Sequence, residues 1–374
     1  MQENLLFKKM YRSKVILISH LPLPYHKIGS WTTLYDNYIK NENNKIDIII
    51  CPRPEHSVYN NVEYLFYKKS LLYKLKSKIL KNRFYHILDI ILKLTKKNPT
   101  QKYIIQVIDN YGFLSKLCDL ISEKKLKDRI HIQYFFHGFK LYHKSQNLGK
   151  VFEVLDELIL LTNLSLKINK KIYSNLPKNT SVLHNGIDTS LFNKKHRKVK
   201  ESNKTTFLWC SQDRPKKGLH LILKIWGKFY KKFPQSELWI VGTYDKIYGD
   251  GIVSLNRIEN HNLPGIYRKA DVYLFPTQWT EPFGLTLIEA LHCGCFCIAS
   301  NLGGVPEVLD FGKFGWLVDD PDNPDNWFAA MENYMQIKPK PHSIPNNLYS
   351  LESWKFNMNK IVESAKEKIA TRVK

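Results

Sequence analysis

Two acidic side chains in the second half of the sequence have a type and spacing that suit recognition of a sugar or a nucleotide. The segment TEPFGLTLIEALHCGCFCIAS, residues 280–300, contains Glu281 and Glu289 eight positions apart. Gly284 and Gly294 bound a run that predicts a helix, and a helix N-terminus offers unpaired N–H groups and partial positive charge to an anion. Carboxylates near that end could accept hydrogen bonds from sugar hydroxyls. The same spacing also occurs between ordinary surface glutamates.

Three cysteines follow at alternate positions: Cys293, Cys295 and Cys297. Zinc sites usually pair two C-x2–4-C elements, and the sequence has no second cluster. The acidic segment DDPDNPD, residues 319–325, lacks the spacing of a calcium-binding EF-hand loop. We therefore expect buried free cysteines, a loop that precedes a helix, and no metal ion.

Alternating strands and helices predict an α/β protein with two doubly wound parallel sheets. Predicted strands cover residues 13–24, 45–52, 102–110, 129–138, 155–162 and 179–188, then 205–212, 236–243, 272–277 and 295–300. The charged stretch 193–204 interrupts the alternation and is interpreted as a linker. We predict one Rossmann-like domain over residues 1–195 and another over 203–352, with a final helix at about 354–372 that packs back on the first.

Composition excludes several classes of protein. Of the 374 residues, 43% are hydrophobic, which is enough to build cores and argues against wholesale disorder. The sequence has no apolar run of the roughly 18 residues that a membrane span needs, and its N-terminus does not resemble a signal peptide. Six cysteines are too few for a disulfide scaffold of this size. A cytoplasmic location is expected.

Positive charge is concentrated in the first half of the chain. Residues 1–200 hold 36 Lys and Arg against 15 Asp and Glu, whereas residues 201–374 hold 21 against 19. Much of the excess lies in residues 67–97, which predict a basic amphipathic helix. Its aliphatic and basic positions are Leu71, Leu72, Leu75 and Ile79, with Lys68, Lys74, Lys78 and Lys81 around them. Such a helix could lie on an anionic membrane surface or pack within its domain with a solvated lysine face.

The segment EPFGLTLIEALHCGCFCIASNLGGVPEVL, residues 281–309, resembles the donor-binding signature of GT-B retaining glycosyltransferases of family 4. Further matches lie in order along the chain: VLHNGIDTSLF at 182–192, WIVG at 239–242, YRKADVYLFPT at 267–277 and GWLVDDPDN at 315–323. The resemblance covers the second half closely and the first half mainly in layout. It implies two Rossmann-like domains that face each other across a cleft.

The resemblance implies a role for individual residues in the second half. Glu281 is expected to contact the donor sugar as a catalytic residue, and Glu289 to accept hydrogen bonds from the ribose. The donor diphosphate is expected beside Phe283 and the backbone amides of Gly284, Leu285 and Thr286. Lys217 of the turn RPKKG matches a phosphate-binding lysine. The arginine that usually stands five positions before it is replaced by Gln212, and Arg214 is the available substitute.

In the first half, the resemblance implies two further residues. His137 follows a predicted strand and is expected to face the donor sugar as a catalytic residue. Gly29 is expected near the donor phosphates, although the usual pair of adjacent glycines is absent.

The implied function is transfer of a sugar from a nucleotide-diphosphate sugar, with retention of configuration, to a glycan or lipid-linked glycan. We expect no enzymic nucleophile and no metal or other cofactor. The setting would be synthesis of a surface polysaccharide such as lipopolysaccharide, by a cytoplasmic protein that is peripheral on the inner face of the membrane. Two alternatives remain: another sugar-nucleotide enzyme, such as an epimerase or phosphorylase, and a basic nucleic-acid-binding protein.

Overall fold

The computed structural model of the protein describes residues 13–25, 30–55, 57–68, 70–141, 148–198 and 203–372. The described residues form two compact units. The first unit comprises the residues up to Leu160, Leu166–Leu183, and those from Lys355 onward. The second unit comprises Leu161–Ser165 and His184–Trp354. Residues 184–195, which we expected in the first domain, therefore group with the second unit.

The first unit contains a seven-stranded parallel sheet in the order β3-β2-β1-β4-β5-β6-β7. Its strands are β1 (Lys14–Ile18), β2 (Ile48–Pro52), β3 (Glu63–Tyr67), β4 (Tyr103–Ile108), β5 (Ile130–Phe135), β6 (Glu157–Leu160) and β7 (Asn179–Val182). The continuous apolar runs of β2 and β4 are buried along nearly their whole length. Such runs suit a parallel sheet with both faces covered by helices.

The second unit contains a six-stranded parallel sheet in the order β10-β9-β8-β11-β12-β13. Its strands are β8 (Thr205–Cys210), β9 (Ser236–Val241), β10 (Ile252–Asn256), β11 (Val272–Phe275), β12 (Phe296–Ser300) and β13 (Trp316–Val318). The two sheets confirm the prediction of two Rossmann-like domains. The strand order of the second sheet reverses between β8 and β11, and α/β sheets bind ligands outside the carboxyl ends of the strands at such a point.

Helices lie between most successive strands. In chain order they are α1 (Ser30–Ile39), α2 (Leu71–Ile79), α3 (Tyr85–Lys97), α4 (Tyr111–Glu123), α5 (Leu148–Val154), α6 (Asn163–Ile172), α7 (Leu219–Lys232), α8 (Leu263–Tyr267), α9 (Leu285–His292), α10 (Val305–Val308), α11 (Pro324–Ile337) and α12 (Leu351–Ala370). Strands β3, β10 and β13 were not predicted. Strands β3 and β10 are largely half-buried, and β13 has three residues, so none of them shows a long continuous apolar run.

The prediction of one basic helix over residues 67–97 is wrong. Tyr67 is the last residue of β3, and the rest of the segment forms two separate helices, α2 and α3. Lys81, between them, has a φ of 45°, which is incompatible with a continuous α-helix. Because the apolar and basic residues have the same spacing on both sides of this break, their periodicity did not reveal it.

The last helix, α12, makes polar contacts in the first unit through Asn359 and Glu363 as well as through its C-terminal end. The Lys102 ammonium group donates to the carbonyl oxygens of Ile369, Ala370 and Arg372 at 2.8, 3.1 and 2.7 Å. The Ile369 and Ala370 carbonyls belong to the last turn of α12, where a helix leaves acceptors unpaired and a cation is favourable. The Arg372 carbonyl lies just beyond the helix. Lys102 therefore caps the C-terminal end of α12 and attaches it to the first unit.

Among the helices formed by the described residues, none combines the length and apolar character needed to cross a lipid bilayer.

Candidate donor site in the second unit

Two loops meet at the carboxyl ends of β8 and β11. After β8 the chain forms a short 3-10 turn, Pro215–Lys217, and then Gly218 with a φ of 75°. A Cβ atom on Gly218 would lie 1.7 Å from the carbonyl oxygen of Pro276, so only glycine permits this approach. The N–H of Gln278 donates to the carbonyl oxygen of Lys216 at 2.8 Å. The basic turn is thereby fixed against the loop that contains Glu281.

Lys217 and Glu281, both predicted as site residues, form an ion pair. The Lys217 Nζ atom lies 2.5 Å from Glu281 Oε2, and both side chains are largely buried. The interaction of a partly buried pair is screened less by solvent than that of a surface pair. The sequence predicted each residue separately but did not predict that they touch.

The glycine pair of the GGVPE motif sets the course of the Glu281 loop. The N–H of Gly304 donates to the carbonyl oxygen of Glu281 at 2.8 Å. A Cβ atom on Gly304 would lie 2.1 Å from the carbonyl oxygen of Pro282. A side chain at Gly304 would therefore displace the backbone that carries Glu281.

Phe283 belongs to a buried cluster that sequence reasoning missed. Its ring stacks on the His184 ring, with centroids 5.8 Å apart. His184 Nε2 lies 2.8 Å from Glu307 Oε1, and the N–H groups of Asn163 and Leu164 donate to the same carboxylate at 2.9 and 2.8 Å. Burial opposes ionisation of Glu307, but these hydrogen bonds outweigh it and keep its pKa below the usual range. His184 lies in the motif VLHNGIDTSLF and Glu307 in the motif GGVPE, but the sequence predicted no role for either side chain.

The predicted diphosphate-binding residues lie at the start of α9. Gly284, with a φ of 91°, immediately precedes Leu285, the first residue of the helix. The first backbone N–H groups of a helix lack partners within it and can bind an anion. The hydroxyl groups of Tyr273, on β11, and Thr286 share a hydrogen bond of 2.8 Å, which ties the first turn of α9 to the sheet. The structure thus fixes this helix end beside the Glu281 loop.

Glu289 is buried in the second unit and is only 8% exposed. Its Oε2 atom accepts a hydrogen bond from the Tyr267 hydroxyl at 3.1 Å. Burial raises the pKa of Glu289 to about 8, although the hydrogen bond from Tyr267 acts in the opposite direction. At neutral pH the carboxyl group is therefore mainly protonated. Sequence reasoning missed Tyr267 as its partner, and ribose binding by Glu289 stays a prediction.

Other residues near the carboxyl ends of these strands include both exposed and buried side chains. Arg214 is exposed at the start of the 3-10 turn. Tyr244, after β9, is also exposed, and the guanidinium carbon of Arg257, after β10, lies 4.0 Å from the centre of its ring. Among the described residues, the buried Thr243 hydroxyl oxygen has no hydrogen-bond partner. Sequence reasoning identified none of the last three residues.

The three predicted buried cysteines are in the core of the second unit, and all are free thiols: Cys293, Cys295 and Cys297. The residues described by the structure contain no group of three or more His, Cys, Asp and Glu side chains arranged to hold a metal ion.

His137 lies in the first unit, just after the carboxyl end of β5. Burial lowers the pKa of its imidazole to about 4, so the ring is neutral at pH 7. Its Nδ1 atom is buried without a hydrogen-bond partner in the described part of the chain. The backbone N–H of His137 donates to the carboxylate of Asp109, which follows β4. Gly29, the other predicted residue of the first half, lies outside the described residues.

The sequence profile of the glycosyl transferases group 1 family matches residues 192–350. The putative glycosyltransferase YtcC of Bacillus subtilis is 24% identical over 241 residues, which cover 56% of this chain and 59% of YtcC. A phosphatidyl-myo-inositol mannosyltransferase of Mycobacterium tuberculosis is 31% identical over 166 residues, 40% of this chain and 44% of that protein. The chain thus spans about half the length of these two curated relatives.

Solved structures share the fold over most of the chain. HepE from Anabaena, crystallised with UDP, has a TM-score of 0.68 at 14% identity and covers 94% of this chain and 100% of its own. Sucrose-phosphate synthase from Thermosynechococcus elongatus has a TM-score of 0.67 at 16% identity and covers 94% of this chain and 99% of its own. The two parallel sheets and these neighbours define a GT-B fold. The profile of the glycosyl transferases group 1 family matches the part of the chain that forms most of the second unit.

Proposed function

We propose that the protein transfers a sugar from a nucleotide-diphosphate sugar to a hydroxyl group of a glycan or lipid-linked glycan. The observation that carries this proposal is the Lys217–Glu281 pair beside the N-terminus of α9. A cation and free backbone amides suit a diphosphate, and a carboxylate suits sugar hydroxyls. The match of residues 192–350 to the glycosyl transferases group 1 profile and the nucleotide complex of the HepE structure support the same conclusion.

The ion pair holds both groups ready for the donor. A bound diphosphate competes with Glu281 for the Lys217 ammonium group because its oxygens carry more negative charge. The Glu281 carboxylate is then free to accept hydrogen bonds from the sugar. Since the lysine and the amides of Leu285 and Thr286 are already in place, they stabilise the charge that develops on the leaving diphosphate without reorganisation.

We propose retention of configuration, with attack by the acceptor hydroxyl on the face that the diphosphate leaves. His137, which is neutral at pH 7, stays a candidate catalytic residue that hydrogen-bonds the donor sugar. The positive charge at the leaving group comes from Lys217, so we expect turnover without a metal ion. The exposed Tyr244 ring and its Arg257 partner offer a flat surface on which a nucleobase could stack.

The biological setting that we propose is synthesis of a surface polysaccharide or lipid-linked glycan at the inner face of the cytoplasmic membrane. The excess of basic residues in the first half of the chain supports an anionic partner on that side. The lipid substrate named in the mannosyltransferase relative is consistent with this setting.

The direct test measures donor binding and product formation in Lys217→Met, with Lys216→Met as the control. Lys216 is adjacent, and its ammonium group lies 4.4 Å from the Trp279 ring rather than on a carboxylate. UDP, GDP and ADP sugars would be offered with and without EDTA, and the anomeric configuration of the product determined by NMR. We expect one donor to be used, and its turnover to fall roughly 100-fold or more in Lys217→Met but little in Lys216→Met.

Three results would count against parts of this proposal. Failure of every nucleotide to bind the wild type would overturn the donor site, and binding of a short RNA instead would favour the nucleic-acid alternative. Donor turnover that gives an epimer or a sugar phosphate would indicate the alternative sugar-nucleotide enzymes. Loss of activity with EDTA would refute only the expectation that turnover needs no metal ion, and would leave the rest of the proposal intact.

A further inference from the structure

Helix α2, Leu71–Ile79, exposes a stripe of aliphatic side chains. Leu71 is 84% exposed, Leu75 60% and Ile79 72%. The three residues are spaced by four positions, so they lie along one face of the helix. Single exposed leucines are common on protein surfaces, whereas a continuous exposed stripe marks an interaction surface.

The opposite face attaches α2 to the first unit. Tyr73 and Ser77 are partly buried, and the Tyr73 ring stacks on Tyr85 and His86 with centroids 5.6 and 3.9 Å away. At about 100° per residue, Tyr73 lies roughly 200° around the helix axis from Leu71. The aliphatic stripe therefore points outward because the aromatic contact holds the other side of the helix.

Exposed lysines flank the stripe on both sides. Lys74 and Lys78 lie along one margin, and Lys76 lies along the other. The sequence of the helix, LLYKLKSKI, contains no acidic residue that would neutralise them. An aliphatic stripe between two basic margins is the pattern of a helix that lies in the plane of a membrane surface.

We propose that α2 binds an anionic lipid bilayer surface, with its aliphatic stripe among the upper acyl chains and its lysines at the lipid phosphates. A single-stranded nucleic acid would use the lysines together with aromatic side chains, and would leave the aliphatic stripe in water. The net positive charge of residues 1–200 adds long-range attraction to the same kind of surface. The inference deepens the proposed function by naming the surface that meets the membrane. Its test does not depend on the donor site, because α2 is in the first unit and Lys217, Glu281 and the start of α9 are in the second.

The test measures binding of the full chain to sedimented vesicles of phosphatidylcholine alone and of phosphatidylcholine mixed with phosphatidylglycerol. One variant combines Leu71→Gln, Leu75→Gln and Ile79→Gln, since glutamine keeps a good helix propensity. A second variant replaces the flanking lysines: Lys74→Gln, Lys76→Gln and Lys78→Gln. The matched control removes three exposed lysines of α6: Lys167→Gln, Lys170→Gln and Lys171→Gln.

We expect the wild type to bind the mixed vesicles and not phosphatidylcholine alone. Each α2 variant should bind the mixed vesicles at least about tenfold more weakly, and the α6 control should lose much less. Donor binding should be unchanged in all three variants, which separates failure of this proposal from failure of the donor site. Circular dichroism and thermal unfolding would verify that each variant is folded.

Several outcomes would overturn the proposal. Unchanged binding by the aliphatic variant would show that charge alone attracts the protein and that the stripe does not enter the lipid. Equal losses in the α6 control and the lysine variant would show that the effect is not specific to α2. A wild type that ignores anionic vesicles but binds a short single-stranded RNA would assign the basic surface to nucleic acid.

Discussion

At the scale of single residues, burial changes the protonation of the Glu289 carboxyl group. It lies in the core with one hydrogen bond from Tyr267, and burial raises its pKa to about 8 from an ordinary value of 4.5. In the folded protein it therefore binds its proton more tightly than in the unfolded chain. The stability that depends on this group is fully present below about pH 4.5 and is lost as the pH rises to about 8.

Glu289→Gln should remove this pH dependence because glutamine is neutral and nearly the same size. We expect the variant to gain stability relative to the wild type as the pH rises, by about 1–3 kcal/mol at pH 8. Denaturant unfolding at a series of pH values measures the difference. The exposed Glu123→Gln on α4 is the control and should show almost no trend. A constant difference between the wild type and Glu289→Gln from pH 5 to 8 would refute the raised pKa.

At the scale of elements, the donor site depends on loops that are fixed by close backbone contacts. Gly218 fits against Pro276, and Gly304 fits against Pro282, where a Cβ atom could not be placed. Together these contacts set the positions of Lys217 and Glu281 at the carboxyl ends of β8 and β11. The ion pair is therefore a consequence of how two loops pack, not only of which residues they carry.

Gly304→Ala should weaken donor binding while leaving the rest of the second unit folded. Its new Cβ atom would meet the Pro282 carbonyl oxygen at 2.1 Å, so the Glu281 loop must shift. We expect donor affinity to fall about tenfold or more, since a displacement of about 1 Å in a site is costly. Calorimetric titration with the nucleotide sugar measures this loss.

Gly227→Ala is the matched control because its Cβ atom, on α7, meets nothing within 4 Å. This substitution should leave donor binding intact and stabilise the protein by about 0.5–1 kcal/mol, as alanine favours a helix. Wild-type donor affinity in Gly304→Ala would show that the glycine pair does not position the loop.

The elements that the sequence predicted well are those with long apolar runs. The strands around Ile49 and Ile105 are buried on both faces, and their apolar sequences predicted this burial. The half-buried strands β3 and β10 lack that signal, and the break at Lys81 leaves no trace in the spacing of leucines and lysines.

For the candidate site, the sequence predicted individual residues but none of the contacts between them. The motifs identified Lys217, Glu281 and Glu289 through the family resemblance. The contacts of Glu307 with His184, and of Tyr267 with Glu289, join side chains 123 and 22 positions apart. Such pairs depend on how loops and helices pack in three dimensions, which periodicity and local motifs do not encode.

At the scale of the whole molecule, each unit has its own hydrophobic core, and α12 completes the first. Glu157, on β6, accepts hydrogen bonds from Lys368 of that helix and from Gln133 of β5, both at 2.6 Å, and the buried His131 ring lies 3.5 Å away. Burial acts to raise the pKa of Glu157, but the interactions with His131, Lys368 and Gln133 outweigh it and lower the pKa to about 2. The carboxylate thus joins α12 to strands β5 and β6 of the first sheet.

Glu157→Gln should destabilise the first unit, because it leaves Lys368 without its carboxylate and breaks a buried pair. We expect a loss of about 1–3 kcal/mol at neutral pH, less than for a fully buried pair since Lys368 is partly exposed. The depressed pKa stabilises the wild type fully above about pH 4.5, and this advantage disappears as the pH falls towards 2.

Hydrogen exchange measures where the loss of stability occurs. In Glu157→Gln it should accelerate at neutral pH in β5, β6 and α12, and change little in β8 and β11. Equal acceleration in both units would show that they unfold together, and no acceleration would show that the Glu157 contacts do not hold α12.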